Sequence, residues 1–346
     1  MQITFSRVPL PETVVAPSSG KPQHLVSVSG GKDSTAVYLL ALESGRPFRA
    51  VFADTGNEHA ITYDYVRDLA HKTGGPEVEW VRADFTDRLA KHRNFILTKW
   101  PELGIPDDIV EVAADLNRPT GNPYLDLCIL KGRFPSRKAQ FCTEELKTFP
   151  ITTKVVGPML KHGRVLQWLG IRASESASRA RQPRFNRHES GSHVWRPIFH
   201  WSVEDVWTQH RRHGLPPNPL YAMGMNRVGC MPCINCCKSE LRAIARLFPE
   251  QIDRIERWET TVAMANKRRS STFFPAVTDP LDAGRPGVYA GIRTLVEWAQ
   301  TVRGGRQFAL FFDEQSGGGC DSDLGLCEFD AQPELPNRRN HAHAAA

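Results

Sequence analysis

Residues 25–45, LVSVSGGKDSTAVYLLALESG, constrain the fold of this chain more than any other segment. A short β-rich run leads directly into SGGKDS, and an apolar stretch of helical length follows and stops at Gly45. Two adjacent glycines let backbone N–H groups point inward, and a helix N-terminus adds positive potential. The segment therefore predicts a strand–loop–helix unit that binds an anion.

The loop differs from the two common phosphate-binding loops. A Walker A loop has a glycine five positions before its second glycine and a Ser or Thr after its lysine, but here Val26 and Asp33 occupy the corresponding places. The GxGxxG fingerprint of dinucleotide-binding loops is absent as well. Because a bare phosphate would repel Asp33, this residue indicates either a bound magnesium ion or a helix-capping role.

Strand-like and helix-like segments alternate after this unit. FRAVFAD, AITYDYVRDLAHKTGG and VEWVRAD come first, and RVLQWLGI follows at residues 164–171. This order predicts an α/β protein with a parallel, doubly wound sheet and right-handed crossovers. HWSVEDVWTQHRRHG predicts a helix that begins at Ser202, with Asp205 as the partner in a capping box.

The same pattern divides the chain into four parts. Residues 1–20 predict an irregular arm, and residues 21–229 a nucleotide-binding α/β domain with a Pro-punctuated insertion at about 88–140. Residues 230–332 predict a cysteine-rich, mainly helical region, and residues 333–346 a disordered tail.

Composition excludes some classes of protein. With 40% hydrophobic and 24% charged residues, the 346-residue chain has ordinary globular usage. No apolar run is long enough to cross a bilayer, and the N-terminus lacks the features of a secretory signal. We therefore expect a cytoplasmic protein without a membrane partner. The net charge of +6 is compatible with an anionic partner.

SGGKDS resembles the SGGxDS signature of the PP-loop ATP pyrophosphatases. FADTGNEHAITYDYV, FCTEELKTFPI, LGIRASESASR and RPIFHWSVEDVW resemble, in order and spacing, the phosphoadenosine phosphosulfate reductase branch of that superfamily. GRFPSRKAQFCTEELK and NRVGCMPCINCCKSEL look closest to longer members from phages and bacterial DNA-modification loci. The resemblance implies an adenine nucleotide alpha hydrolase-like fold, with ATP and Mg²⁺ as ligands.

The resemblance also implies a nucleotide site. The residues that would hold pyrophosphate, or an equivalent sulfate or phosphate group, are Ser29, Gly30, Gly31, Lys32, Asp33 and Ser34. Those that would lie around the rest of the nucleotide are Asp54, Thr55, Gly170, Ile171, Arg172 and Arg179. Lys147 and Arg196 are secondary candidates for the same anion pocket. The candidate catalytic residues are Lys32, Asp33, Cys142 and Arg172.

The cysteines point to a metal centre. The eight positions are Cys128, Cys142, Cys230, Cys233, Cys236, Cys237, Cys320 and Cys327. In a reducing cytosol the cluster at 230–237 indicates metal-binding or redox-active thiols rather than disulfides, whereas Cys128 in YLDLCIL is typical of a buried structural thiol. The Cys-x-x-Cys spacing of Cys230 and Cys233 suits two ligands of one metal.

Adenylyl-sulfate reductases of this family hold a [4Fe–4S] cluster with a tandem Cys-Cys and a Cys-x-x-Cys. Here Phe141 replaces the first cysteine of the tandem, so Cys142, Cys230 and Cys233 lack a fourth ligand. Cys236 is the first choice for that ligand. Cys237, Cys320 and Cys327 remain open as sources, and a four-thiolate zinc site is the alternative.

Arginines follow the strand at 164–171. Arg172 and Arg179 match the family pattern GIRxxESxxR, whereas Arg181, Arg184 and Arg187 are equally consistent with a solvated loop. Three further basic residues extend the track toward a possible nucleic acid, and these are Arg133, Arg137 and Lys138.

Three functions are compatible with these features. The first is an ATP pyrophosphatase that activates a nucleic-acid or small-molecule oxygen for sulfur transfer, with DNA or tRNA and a cysteine desulfurase as possible partners. The second is a sulfonucleotide reductase that produces sulfite with a thioredoxin-type donor. The third, without turnover, is an ATP-sensing subunit of a modification complex.

Overall fold

A six-stranded sheet forms the centre of the computed structural model, which describes residues 20–274 and 290–301. The strands are β1 Gln23–Val28, β2 Phe48–Asp54, β3 Val78–Arg82, β4 Val165–Trp168, β5 Phe185–Arg187 and β6 His193–Trp195. Their order in the sheet is β3-β2-β1-β4-β6-β5. All neighbouring pairs are parallel except β5 with β6, which forms an antiparallel edge. The predicted α/β class with a mostly parallel sheet is confirmed.

Helices make up most of the remaining described chain. The first group is α1 Lys32–Glu43, α2 Ala60–Arg67, α3 Leu69–Thr73, α4 Thr86–Glu102, α5 Asp107–Leu116 and α6 Pro123–Lys131. Next come α7 Phe141–Thr143, α8 Phe149–Ile151 and α9 Gly157–Leu160, which π-helical turns join into one continuous helix. The last group is α10 Ala177–Ala180, α11 Val203–Arg212, α12 Pro219–Ala222, α13 Lys238–Leu247, α14 Pro249–Met264 and α15 Ile292–Gln300.

Both faces of the sheet are covered, as the near-continuous apolar strands require. On β1, Val26 packs with α1 and α11 on one face, and Leu25 packs with the helix of residues 149–160 on the other. Alternate residues of β2 divide in the same way. The predicted capping box is confirmed, because Ser202 Oγ accepts from Asp205 N at 3.1 Å and Asp205 Oδ2 accepts from Ser202 N at 2.8 Å.

The largest buried cluster joins distant parts of the chain. It brings α4 and α6 together with the segment around Cys233 and with α13, α14 and α15. The predicted insertion at 88–140 is therefore largely helical and packs against the C-terminal region. This core crosses the predicted boundary at residue 229, and the four-part division stays a prediction. Residues 1–19, the tail at 333–346, Cys320 and Cys327 lie outside the described residues.

No helix in residues 20–274 and 290–301 combines the length and apolarity needed to cross a membrane.

Glu259 fastens the end of this helical region. Its Oε1 accepts from Phe273 N at 2.7 Å, and its Oε2 accepts from Ile292 N at 3.0 Å. One buried carboxylate on α14 thus binds two segments that are far apart in sequence. Burial raises the pKa of Glu259 to about 7, while the two backbone hydrogen bonds oppose the rise.

This carboxylate makes stability depend on pH. Between its ordinary pKa of 4.5 and about 7, the folded state holds a proton that the unfolded state has released. The free energy of unfolding therefore falls as the pH rises through this window. We expect Glu259→Gln to reduce the fall by on the order of 1 kcal/mol, as measured by urea denaturation at about pH 5 and about pH 8.

Glu297→Gln, on the exposed face of α15, is the matched control and should keep the dependence of the unmodified protein. An unchanged pH dependence in Glu259→Gln would contradict the assignment.

Candidate active site

The loop at the carboxyl end of β1 closes on itself. Ser34 Oγ accepts from Ser29 N at 3.0 Å and donates to Gly31 O at 3.1 Å, and the two serine hydroxyls lie 2.9 Å apart. Gly30 has φ +78°, and a Cβ there would lie 2.7 Å from Thr62 Cγ2. Only glycine combines this backbone conformation with this close approach of α2.

Behind the loop, Asp33 joins two cations. Its Oδ1 accepts from Arg172 Nε at 2.5 Å, and its Oδ2 lies 3.3 Å from Lys32 Nζ. Lys32, Asp33 and Arg172 are each 2% exposed. Gly31 is the N-cap of α1, without a side-chain capping bond. Asp33 therefore orients the cations of the site rather than capping the helix, and its contact with magnesium stays a prediction.

The ion-pair network continues through Glu175. This residue accepts from Arg172 N at 2.6 Å and from Arg179 Nη1 at 2.5 Å. Burial raises the pKa of Glu175, Arg179 opposes this rise, and the charge of Asp33 adds to it. Among the described residues of this buried network, three cations (Lys32, Arg172 and Arg179) face two carboxylates (Asp33 and Glu175), which suits an anionic ligand.

Gly170 packs against the loop itself. A Cβ at this position would lie 2.8 Å from both Asp33 C and Ser34 N. Ile171 is fully buried with Leu169 and Val194, so its side chain belongs to a small core. The close approach predicted for Gly170 is thus toward the loop backbone, and contact of residues 170 and 171 with a nucleotide stays a prediction.

Three residues that were not predicted from the sequence also form hydrogen bonds with the backbone of the loop. Tyr221 Oη accepts from Lys32 N at 2.9 Å, and the tyrosine ring lies 5.5 Å from Lys32 Nζ. Asn218 Nδ2 donates to Gly30 O at 3.2 Å. His210 Nε2 lies 2.9 Å from Lys32 O and must carry the proton, because a carbonyl only accepts. Burial lowers the pKa of His210 and favours this neutral form.

Asp54 and Thr55 lie at the carboxyl end of β2, next to the loop's strand. Asp54 Oδ1 accepts from Tyr63 Oη at 2.8 Å, and Arg82 Nε lies 3.2 Å from Asp54 Oδ2. Thr55 Oγ1 lies 2.7 Å from Glu58 Oε1 and donates to this carboxylate. Glu58 is a buried residue that sequence reasoning missed, because nothing in TGNEH marks it as different from a surface carboxylate.

The cysteine segment is fixed on this same edge. Cys230 Sγ lies 3.7 Å from Glu58 Oε1 and 3.8 Å from Thr55 Oγ1. The backbone is held by two further bonds, since Met231 N donates to Asn57 O at 2.8 Å and Asn57 Nδ2 donates to Pro232 O at 3.0 Å. A thiol thus lies beside Thr55, one of the residues predicted to border the nucleotide.

The other predicted ligands take two different positions. Cys142 is half-buried and Cys233 is buried, and both pack in the largest core. Tyr124, 2% exposed, lies in the same core, and its Oη has no hydrogen-bond partner among the described residues. Burial raises the pKa of Tyr124, and four thiols raise it further, those of Cys128, Cys142, Cys230 and Cys233.

Cys236 lies close to Cys233, since its backbone N donates to Cys233 O at 3.0 Å. Burial raises the pKa of Cys236, Glu240 and Cys233 add to the rise, and Arg227 opposes it. Arg227 Nε lies 3.2 Å from Glu240 Oε1. Among residues 20–274 and 290–301, no three His, Cys, Asp or Glu side chains are arranged to hold a metal ion. The ligand set of Cys142, Cys230, Cys233 and Cys236 therefore stays a prediction, as does the metal centre itself.

The described contacts of the remaining basic candidates are with other parts of the chain or with solvent. Arg196 is buried and donates from Nη1 to Pro183 O at 2.8 Å and to Asn186 Oδ1 at 2.6 Å. It therefore braces the chain around β5. Lys147 is buried in a π-helical turn. Three arginines are exposed, as the solvated-loop alternative expects: Arg181, Arg184 and Arg187.

The chain is similar in sequence to a known protein family and to a phage protein. Residues 23–100 and 131–236, more than half of the chain, match the family model described as the phosphoadenosine phosphosulfate reductase domain. An uncharacterized 37.8 kDa protein in the gpa 5′ region of Escherichia phage 186 is 44% identical over 324 residues, which cover 88% of this chain and 96% of that protein.

Two named enzymes are similar over shorter or more divergent regions. Adenosine 5′-phosphosulfate reductase of Neisseria meningitidis serogroup B is 33% identical over 101 residues, 28% of this chain and 38% of that enzyme. A solved structure of phosphoadenylyl-sulfate reductase from Candida auris, in a phosphate complex, has 16% identity and a TM-score of 0.39, with 62% of this chain and 83% of that chain covered.

The contact of Gly170 with the loop gives a direct test of the site. We expect Gly170→Ala to weaken ATP binding about tenfold or more, because the new methyl group displaces the loop backbone and overpacking costs ~1–3 kcal/mol. Isothermal titration calorimetry measures the affinity. Gly229→Ala is the matched control, since a Cβ there meets no atom within 4 Å. Equal affinities in the two variants would show that the loop does not bind the nucleotide.

Proposed function

The chain belongs to the phosphoadenosine phosphosulfate reductase domain family, and from this premise we propose that it cleaves ATP to AMP and pyrophosphate to activate an oxygen for sulfur transfer. Membership supports a nucleotide-using enzyme of sulfur chemistry. The specific reaction rests on the buried network of Lys32, Asp33 and Arg172 at the complete SGGKDS loop.

The proposed chemistry follows from the charges of the site. An acceptor oxygen attacks the α-phosphorus, the bond to the β-phosphate breaks, and pyrophosphate leaves with additional negative charge. Lys32, Arg172 and the N–H groups of the loop stabilise that charge, because they are already oriented in a site that excludes water. Mg²⁺ bound with ATP would neutralise part of the charge on the β- and γ-phosphates.

Asp33 has a positioning role in this proposal. Because its carboxylate lies within ion-pair distance of Lys32 Nζ and Arg172 Nε, it sets where both cations point before the nucleotide arrives. Such preorganisation avoids the cost of orienting the charges during the reaction.

The position of the Cys230 thiol, beside the residues that follow the carboxyl end of β2, supports sulfur chemistry. Cys230 lies next to Thr55 and Glu58, so sulfur carried in this region would be close to an activated acceptor. A persulfide that attacks the activated centre would expel AMP together with the acceptor oxygen and leave an S–S bond to its carrier. A second thiol would then break that S–S bond and form a disulfide with the carrier, so that the sulfur stays on the acceptor. The cysteine desulfurase proposed as a partner would supply the persulfide, and an external dithiol would reduce the disulfide.

Reduction of a sulfonucleotide is the second candidate. It is favoured by the 33% identity to adenosine 5′-phosphosulfate reductase of Neisseria meningitidis, and a thioredoxin-type donor would then be the partner. Against it, these 346 residues contain no ECGLH element, which carries the nucleophilic cysteine in that family. Binding of ATP without turnover, as in a sensing subunit, is the third.

Product analysis separates the three reactions. We expect α-labelled ATP and Mg²⁺ to yield AMP and pyrophosphate, and Lys32→Ala or Arg172→Ala to lower the rate ~100-fold or more, as expected for loss of a preorganised charge. Arg211→Ala, exposed on α11, is the control and should keep the rate. Sulfite release from adenylyl sulfate would instead establish the reductase, and tight ATP binding without products would establish the sensor.

Metal content tests the proposed thiol centre. After anaerobic purification we expect iron and sulfide, with the absorbance of a [4Fe–4S] cluster, and we expect Cys142→Ser and Cys230→Ser to lose them. Cys237→Ser separates two candidates for the fourth ligand, because it should keep the iron if Cys236 is that ligand and lose it if Cys237 is. Zinc in place of iron would establish the four-thiolate zinc site. Protein without any metal would contradict both the iron–sulfur cluster and the zinc site.

A further inference from the structure

Two basic segments that are distant in sequence meet on one surface. Asn266 Nδ2 donates to Gly132 O at 3.2 Å, and a Cβ at Gly132 would lie 3.1 Å from Asn266 Cβ. Beneath them, the rings of Phe134 and Phe273 pack with centroids 5.4 Å apart. We call the cations of these two segments the basic face: Arg133, Arg137, Lys138, Lys267, Arg268 and Arg269.

The second segment is held in an exposed turn. The Asn266 side chain accepts from Arg268 N at 2.8 Å and donates to Ser270 O at 3.2 Å. Arg269 has φ +54°, a left-handed conformation that is uncommon for residues other than glycine. Residues 267–270 are all exposed. The asparagine thus fixes a strained turn that presents three consecutive cations to solvent.

Among the described residues, no carboxylate forms an ion pair with the basic face. None of its six residues forms an ion pair within the described part of the chain, and five of them are exposed. Lys131, which directly precedes the face, differs because its Nζ lies 3.0 Å from Glu145 Oε1. Six like charges gathered without counter-charges raise the folding cost, so the arrangement suits a polyanionic partner.

The face borders the thiol region. Arg133 and Lys131 each lie 5.7 Å from the ring centroid of Phe141, the residue before Cys142. A polymer held on the basic face would therefore run past the half-buried Cys142. No large exposed apolar side chain lies on either basic segment, so the face lacks groups that would enter a lipid bilayer.

We propose that the basic face binds the phosphate backbone of a nucleic acid and that a nucleic acid is the sulfur acceptor. The binding stands on the geometry of the face alone, whereas the acceptor role rests on the proposed function. Arginine and lysine contacts to phosphates are independent of sequence, so the face supplies affinity and orientation rather than base recognition.

Binding is measured by fluorescence anisotropy with labelled oligonucleotides of about 16 nucleotides, as single-stranded DNA, duplex DNA and RNA. We expect affinity that falls steeply between about 50 and 200 mM salt. Arg133→Ala/Arg137→Ala/Lys138→Ala and Lys267→Ala/Arg268→Ala/Arg269→Ala should each weaken binding about tenfold or more and lower the log–log salt slope by about 2. The preferred oligonucleotide identifies the class of acceptor.

The triple variant Arg181→Ala/Arg184→Ala/Arg187→Ala is the matched control, since it removes the same charge from another exposed segment. Its binding should stay within about twofold of the unmodified protein. Equal losses in all three variants would overturn the basic face as the binding site. Stronger binding to polyglutamate or to phosphatidylserine vesicles than to every oligonucleotide would overturn a nucleic acid as the partner.

The same variants separate this inference from the proposed function. Both face variants should keep basal AMP formation and lose any stimulation by the oligonucleotide, whereas Lys32→Ala should keep oligonucleotide binding and lose AMP formation. ATP cleavage without binding at the face overturns the inference and leaves the function standing. Binding at the face without ATP cleavage overturns the function and leaves the binding surface standing.

Discussion

The buried ion pair between Asp33 and Arg172 connects the two sides of the candidate active site. Asp33 belongs to the first turn of α1, and Arg172 follows β4. Because β1 and β4 are parallel neighbours, the residues after their carboxyl ends meet at one edge of the sheet. The pair then extends to Lys32 on one side and to Glu175 and Arg179 on the other, so that one electrostatic network determines the orientation of the predicted anion-binding cations.

Such a network is costly unless a ligand completes it. Burial of several charges away from water has a large desolvation cost, which the pairing only partly offsets. Lysine and arginine outnumber the carboxylates among the described residues of the network, and the loop adds backbone N–H groups. Position 170 requires glycine, because the side chain of any larger residue would collide with the backbone of the loop. An arrangement that sacrifices stability in this way is the pattern expected of the predicted anion site.

The parts of the chain outside the family match surround the thiol region. Residues 101–130 and those after 236 are not matched by the family model, yet α6 from the first part packs with α13, α14 and α15 from the second. Between them lies the segment of Cys230 and Cys233, fixed to the β2 edge through Asn57. One segment of the basic face, residues 267–269, belongs to the second of these parts, whereas the other segment, residues 133–138, lies within the matched range 131–236. Matched and unmatched residues therefore both contribute to the surroundings of the thiols.

Sequence by itself determined the class of fold and the position of the loop, because these depend on local pattern. Alternation of strands and helices, the two glycines and the Ser202–Asp205 box each act within a few residues, and the structure agrees with them. The split of one predicted helix into α2 and α3, and the short β5–β6 hairpin, were missed because both are set by packing rather than by periodicity.

Only the tertiary structure decided which distant residues share a site. Asp33 pairs with Arg172 across 139 positions, Tyr221 reaches Lys32 across 189, and Cys230 reaches Glu58 across 172. It also showed that Asp33 contacts two cations, Lys32 and Arg172, and that Cys236 lies near Arg227. Contacts of this kind follow from strand order and core packing, which a single sequence does not encode in any short segment.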